Sequence, residues 1–240
     1  RPFRWSFYCP EIRCFPYQKK EVSKDSSISG RTNERRKYMS DILNGLNPQQ
    51  KEAVMHTEGP LLILAGAGSG KTRVLTHRIA YLIENGFAEP EDILALTFTN
   101  KAAKEMKERA ASLTGKAADK MLITTFHSAC VRFLKNRMML LGYKRGNFVI
   151  YDTDEQKKII RTIFEETGFQ GRYPDIRVYD VISFISKQKE KMLGPDELES
   201  IYPDYPLITV YKEYERILKK NNALDFDDLL VKTVELFQSK

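Results

Sequence analysis

The sequence predicts an α/β fold on a parallel sheet, and three observations predict it. Short apolar runs recur at 61–64, 92–96 and 121–124. Each runs into a polar junction, and each junction is followed by apolar residues at helical spacing. Strands alternating with helices in this way specify a doubly wound sheet, whose carboxyl edge gathers the loops that bind ligands.

The first unit begins with Leu61-Leu62-Ile63-Leu64, an all-apolar run expected of a parallel strand buried on both faces. It continues into Ala65-Gly66-Ala67-Gly68-Ser69-Gly70-Lys71-Thr72. A helix is expected next, with Val74, Leu75, Ile79, Leu82 and Ile83 on one side and its end at Asn85-Gly86. Strand, glycine loop, Lys-Thr and helix together make a phosphate-binding loop. The glycines let backbone N–H groups close around phosphates, and the helix adds its N-terminal dipole. Lys71 is placed to reach the β and γ phosphates and Thr72 to ligate Mg²⁺, so these two are the catalytic candidates for ATP or GTP chemistry. Ala65 stands at a position where the strict pattern has glycine.

The second junction is Thr97-Phe98-Thr99-Asn100-Lys101, before a helix carrying Ala102, Ala103, Met106 and Ala110. The third is Thr125-Phe126-His127-Ser128, before a helix carrying Val131, Leu134, Met138 and Leu141. Both join an aromatic ring to hydroxyl, amide, imidazole or ammonium groups. That mixture suits single-stranded nucleic acid, whose bases stack on rings while polar groups hold phosphates. Each residue also has a plainer reading. Phe98 and Phe126 can be core, Thr99 or Asn100 an N-cap, and His127 a structural histidine. Leu46-Asn47-Pro48 reads as an N-cap and helix start.

Residues 144–221 carry several helical patterns separated by turns at 168–174, 194–195 and 202–206, with mixed charge that reads as solvated helix faces. Two acidic stretches imitate a magnesium-binding acid. Asp152 ends the apolar run Phe148-Val149-Ile150-Tyr151, but Asp152 or Thr153 is expected to cap a helix bearing Ile159, Ile160 and Ile163. Asp225, Asp227 and Asp228 are read as following no buried strand.

Charge divides the chain unevenly. Its 240 residues hold 39 Lys+Arg and 32 Asp+Glu, a net of +7. Residues 1–38 hold ten of the bases and four of the acids, a net of +6, which leaves residues 39–240 at +1. The basic balance therefore says little about partners of the folded part. Segment 1–38 shows neither periodicity nor an apolar signal region, and it is expected to be disordered or a spuriously translated leader. Glu34-Arg35-Arg36-Lys37-Tyr38-Met39 can be encoded by a purine run before a start codon, which would make Met39 the first residue. Cys9 and Cys14, five apart and without a second pair, make a poor zinc site. Three cysteines build no disulfide scaffold, so a reducing, cytoplasmic setting is expected. No run approaches the roughly 18 apolar residues of a membrane span.

Taken in order, 46–53, 65–73, 97–103, 125–128 and Leu224-Asp225-Phe226-Asp227-Asp228-Leu229-Leu230 resemble the superfamily 1 DNA helicases of the UvrD/PcrA/Rep group. The resemblance implies a P-loop NTPase (RecA-like) sheet in 39–142, a helical subdomain inserted at 143–222, and a return into the first domain at 223–240. It implies ATP and Mg²⁺ as cofactors and a bacterial-type cytoplasmic enzyme. Gln50 would read adenine, with Arg73 near the base, and residues 65–72 would hold the triphosphate. Phe98, Thr99, Asn100, Lys101, Thr125, Phe126 and His127 would contact single-stranded DNA, with single-/double-strand junctions as the wider partner. In that group the magnesium acid follows shortly after the stretch matching 225–230, so the chain is expected to stop before it and to have little ATPase activity alone. Two alternatives stay open: a non-catalytic nucleotide- or strand-binding module, and an unrelated P-loop enzyme.

Overall fold

A computed structural model describes residues 42–66, 68–144 and 147–239. The expectation for residues 1–38 lies outside the described residues. Residues from Gly45 onward form one unit, a mostly helical α/β arrangement with two small parallel sheets.

Helix α1 (Pro48–Met55) starts as its sequence requires. Asn47 accepts from Gln50 N at 2.8 Å and Gln50 Oε1 accepts from Asn47 N at 3.0 Å, a closed capping box behind a proline at the first turn. Asn47→Ala should lower stability by about 1 kcal/mol, the usual worth of such a cap. Urea unfolding of the two proteins measures it, and coincident midpoints would refute the assignment. At the other end, the Arg78 guanidinium donates to Ala53 O at 2.9 Å and also to His56 O, tying α1 to α2 (Lys71–Glu84).

Strands β1 (Leu94–Thr97) and β2 (Leu122–Thr125) pair in parallel, Leu94 opposite Leu122 and Thr97 opposite Thr125. Helices α3 (Asn100–Thr114) and α4 (Phe126–Leu134) leave their carboxyl ends. Ile79, Met106, Ala110, Met121 and Ile123 form the core between α2, α3 and β2.

Two expectations fail in this half. The run 61–64 forms no strand, and Leu62 and Leu64 are 80% and 86% exposed. An extended segment becomes a strand only when neighbours accept its backbone hydrogen bonds, and among the described residues no strand pairs with this one. The phosphate loop therefore precedes a helix without following a strand here. The helix expected through Val131, Leu134, Met138 and Leu141 breaks after Leu134, where Asn136 takes a left-handed φ of 67°. Met138 and Leu141 belong to a separate short turn. Asparagine tolerates that conformation, so the apolar spacing continues while the helix does not.

Strands β3 (Val149–Ile150) and β4 (Ala223–Leu224) form the second parallel pair. Between them lie α5 (Thr153–Thr167), the short α6 (Phe169–Arg172), α7 (Val178–Glu190), α8 (Pro195–Ile201) and α9 (Pro206–Lys220). Their shared core includes Ile160, Ile163, Phe164, Val181, Ile185, Leu198, Val210 and Tyr214. Asp152 caps α5 through a box with Glu155, as the sequence predicts. The turn expected at 168–174 contains α6, whose Phe169 ring stacks on Phe164 at 4.9 Å. Helix α10 (Phe226–Gln238) closes the chain and packs along α4 through Cys130, Leu134, Leu229 and Leu236.

Candidate functional site

The phosphate loop draws its shape from local backbone needs. Gly70, the N-cap of α2, has φ 88°, and a Cβ there would lie 3.0 Å from Gln50 Nε2. A glycine is therefore required both for the turn and for the close approach of Gln50. Gln50 Nε2 donates to Ser69 O at 3.1 Å, so α1 brings its amide to the loop. Ser69 Oγ donates to Gly66 O at 2.7 Å, and Lys71 Nζ donates to Ala65 O at 2.7 Å and Gly66 O at 2.5 Å. No side-chain cap covers the start of α2. Its first-turn N–H groups thus remain available for an anion, and the helix dipole favours one there. Thr72 is half-buried in that turn, and exposed Arg73 runs beside Gly45, where a Cβ would meet its guanidinium at 2.8 Å. Ala67 lies outside the described residues.

The second and third junctions are level because β1 and β2 are in register, with Thr97 opposite Thr125. Phe98 is 90% exposed and its ring lies 5.4 Å from that of Phe126 at 38°. Neither ring is core. The hydroxyls take the capping role that the sequence also allowed. Thr99 Oγ1 accepts from Ala102 N at 3.1 Å, and Thr125 Oγ1 accepts from Ser128 N at 3.3 Å and donates to Ser128 Oγ at 2.9 Å. Asn100, Lys101 and His127 are exposed in the first turns of α3 and α4. The structure thus joins two sequence-predicted junctions into one surface of paired rings and helix N-termini, and separately brings Gln50 to the phosphate loop.

One cluster was not anticipated from the sequence. Lys189, on α7, is 3% exposed, and its Nζ lies 2.7–2.8 Å from Asp225 Oδ2, Asp228 Oδ1 and Glu215 Oε1. Burial opposes its charge, but the three carboxylates outweigh burial and raise its pKa well above that of an ordinary lysine. Burial pushes Asp228 up to about 7, reinforced by Asp225 and Glu215 against the pull of Lys189. Asp225 moves down: burial raises it, but the Lys189 charge, with hydrogen bonds from Lys189, Asp228 N and Tyr214, prevails. Tyr214 also donates to Asp225 Oδ2 at 3.0 Å, and Gln156 Nε2 at 3.3 Å. Glu215 Oε1 is close to Lys189 without hydrogen-bond geometry, so it contributes charge rather than a directed bond.

This cluster corrects one sequence expectation. Asp225 does follow a buried strand, since Ala223 and Leu224 of β4 are wholly inaccessible. Two residues are too few to show as a strand in the sequence. Asp225 nonetheless caps α10, boxed with Asp228, and the centre of the carboxylate cluster is filled by Lys189 Nζ. Lys189 is the buried exception to the reading of 144–221 as solvated charge. It lies in the charged run Lys187-Gln188-Lys189-Glu190-Lys191, yet it continues the buried stripe of Val181 and Ile185 at intervals of four. That spacing was the available signal.

Residues 46–240 match the UvrD/REP helicase N-terminal domain. The chain is 48% identical over 204 residues to the ATP-dependent DNA helicase PcrA of Bacillus subtilis (strain 168), covering 83% of this chain and 27% of that protein. It is 46% identical over 203 residues to the protein of the same name from Staphylococcus aureus (strain Mu50 / ATCC 700699), with the same coverage. The chain therefore spans about a quarter of the length of these relatives. No helix among the described residues is long and apolar enough to cross a membrane. With four-fifths of its length matched and nearly half of the aligned residues identical, the chain belongs to the UvrD/REP helicase N-terminal domain family.

Proposed function

We propose that this chain is the nucleotide- and strand-binding part of an ATP-dependent DNA helicase, built on a P-loop (RecA-like) domain of residues 39–142 and 223–240 with a helical insertion at 143–222. The relatives named above are ATP-dependent DNA helicases. The observation that carries the reading is the pair of rings, Phe98 and Phe126, held outward side by side at the level ends of β1 and β2. Exposed rings on rigid junctions stack on bases of any sequence, as a translocating protein requires. Asn100 and Lys101, beside the N-termini of α3 and α4, hold the phosphates, and Thr99, Thr125 and His127 complete the track.

The residues around the phosphate loop fit a nucleoside triphosphate, because the uncapped start of α2 offers N–H donors and Lys71 lies among them. Ala65 to Thr72 would hold ATP, Gln50 and Arg73 would flank its base, and Thr72 would take Mg²⁺. Hydrolysis of ATP held there would supply the free energy that drives movement along the strand in the complete helicase. Single-/double-strand junctions are where that movement acts.

Fluorescence anisotropy with a labelled oligothymidylate tests the strand surface. The chain should bind, and Phe98→Ala should weaken binding about tenfold, within the range for loss of one stacked base. Absence of binding by the unaltered chain, or equal affinity of Phe98→Ala, would overturn the reading.

A further inference from the structure

We infer that Lys144, Lys219 and Lys220 form a contact for the phosphate backbone of DNA, where the chain enters and leaves helices α5–α9; this rests on the DNA-binding reading above. Residues 120–151 contain six Lys/Arg and no Asp or Glu, although residues 39–240 as a whole carry a net of only +1. The fold brings the end of that acid-free run against the end of α9. Lys144 N donates to Asn222 Oδ1 at 3.0 Å, and Lys144 Nζ donates to Lys220 O at 3.5 Å. Asn222 Nδ2 donates to Asn147 O at 3.3 Å, so one side chain holds both Lys144 and Asn147. Asn222 itself has a left-handed φ of 53°, which asparagine tolerates. Lys219 Nζ lies over the ring of Tyr143, 5.9 Å from its centre.

The plainer reading is that these lysines complement the carboxyl end of α9. That end presents roughly half a negative charge, which three ammonium groups exceed several-fold. Among the described residues, no carboxylate forms an ion pair with any of the three. Glu213, near enough to feel the charge of Lys220, is held by Nε and Nη2 of Arg216. The Tyr143 ring under Lys219 is neutral, because burial raises the pKa of its hydroxyl. All three lysines are exposed. Like charges gathered without a counter-charge repel one another, and a polyanion relieves that repulsion while releasing its own counterions. The DNA backbone is such a polyanion. Ammonium groups meet it as point charges whatever the base sequence, which suits a protein that moves along DNA.

The test uses the whole 240-residue chain with Lys144→Gln, Lys219→Gln and Lys220→Gln combined, and reads affinity by anisotropy over a range of KCl concentrations. One arm uses a labelled oligothymidylate and the other a labelled blunt duplex, which separates the two sources of phosphate. A control chain combines Lys107→Gln, Lys120→Gln and Lys157→Gln, removing equal charge from lysines already paired with Asp119, Glu91 and Asp154. Both variants are checked for an unchanged circular dichroism spectrum. The first should weaken binding about tenfold in at least one arm. Its plot of log affinity against log salt should flatten by about 2 on the strand or by about 3 on the duplex. The control should keep the slope of the unaltered chain. An unchanged slope in both arms, or an equal loss in the control, overturns the inference, and a weakened Phe98→Ala then leaves the ring surface standing. Failure of the unaltered chain to bind either DNA removes both.

Discussion

Replacing Lys189 by methionine should lower the unfolding free energy by about 3–5 kcal/mol, the largest stability effect expected of one side chain here. Methionine matches lysine in length and fills the same space, so the loss is electrostatic. Asp225 is buried and held as a carboxylate, and removal of the cation leaves its charge unpaired beside Asp228 and Glu215. A domain is stable by only about 5–15 kcal/mol, so Lys189→Met should unfold at a markedly lower urea concentration. Adding Asp225→Asn and Asp228→Asn to Lys189→Met should recover most of the loss, because asparagine still caps α10 but carries no charge to strand. A loss below about 1 kcal/mol for Lys189→Met would contradict the assignment of a compensated buried charge.

The same cluster sets a pH dependence of definite sign. The Asp228 pKa is raised in the folded chain, from 3.8 to about 7, so the native state keeps a proton that the unfolded state gives up. Its contribution is present in full below about 4, falls as pH rises, and is gone above about 7. Asp225 acts oppositely: its pKa is lowered, so its contribution is present above 3.8 and lost on acidification. Between pH 5 and 8 the Asp228 effect stands alone of the two. Urea midpoints should fall over that interval for the unaltered chain and change less for Asp228→Asn. Parallel profiles would refute the shifted carboxyl.

Lys71→Ala should weaken binding of Mg²⁺-ATP about 10- to 100-fold, the consequence of losing charge-assisted bonds to phosphate. The substitution should leave the fold unaffected. Lys71 is exposed, and its partners in this structure are the loop carbonyls of Ala65 and Gly66, which water can serve equally well. Titration with a fluorescent ATP analogue measures the effect, and oligothymidylate binding should persist in the same variant. Unchanged nucleotide affinity in Lys71→Ala would remove the phosphate loop from the proposal.

Local signals were legible where the chemistry is local. Asn47, Asp152 and Thr99 cap helices as their side chains demand, and Asn85 ends α2 as expected. Strands β1 and β2 fall within a residue or two of their apolar runs. The candidate site was equally readable as residue types. Rings, hydroxyls and glycines stand at strand-to-helix junctions, and each type has one or two physical uses there. What a sequence window cannot contain is a partner. Leu61-Leu62-Ile63-Leu64 has the composition of a buried strand, but strand formation depends on a neighbouring ladder that the four residues do not carry.

The sequence by itself determined that glycine-rich and ring-bearing junctions lie at the starts of successive helices, because turns and caps are decided within a few residues. Tertiary structure alone decided which of these groups meet. Register sets Phe98 beside Phe126, and α1 brings Gln50 to Ser69. Lys189 and Asp225, 36 residues apart, become a buried pair. Their spacing along the chain says nothing of it, since a buried charge is tolerated only where distant elements supply its counter-charges, and those elements meet only in the folded chain.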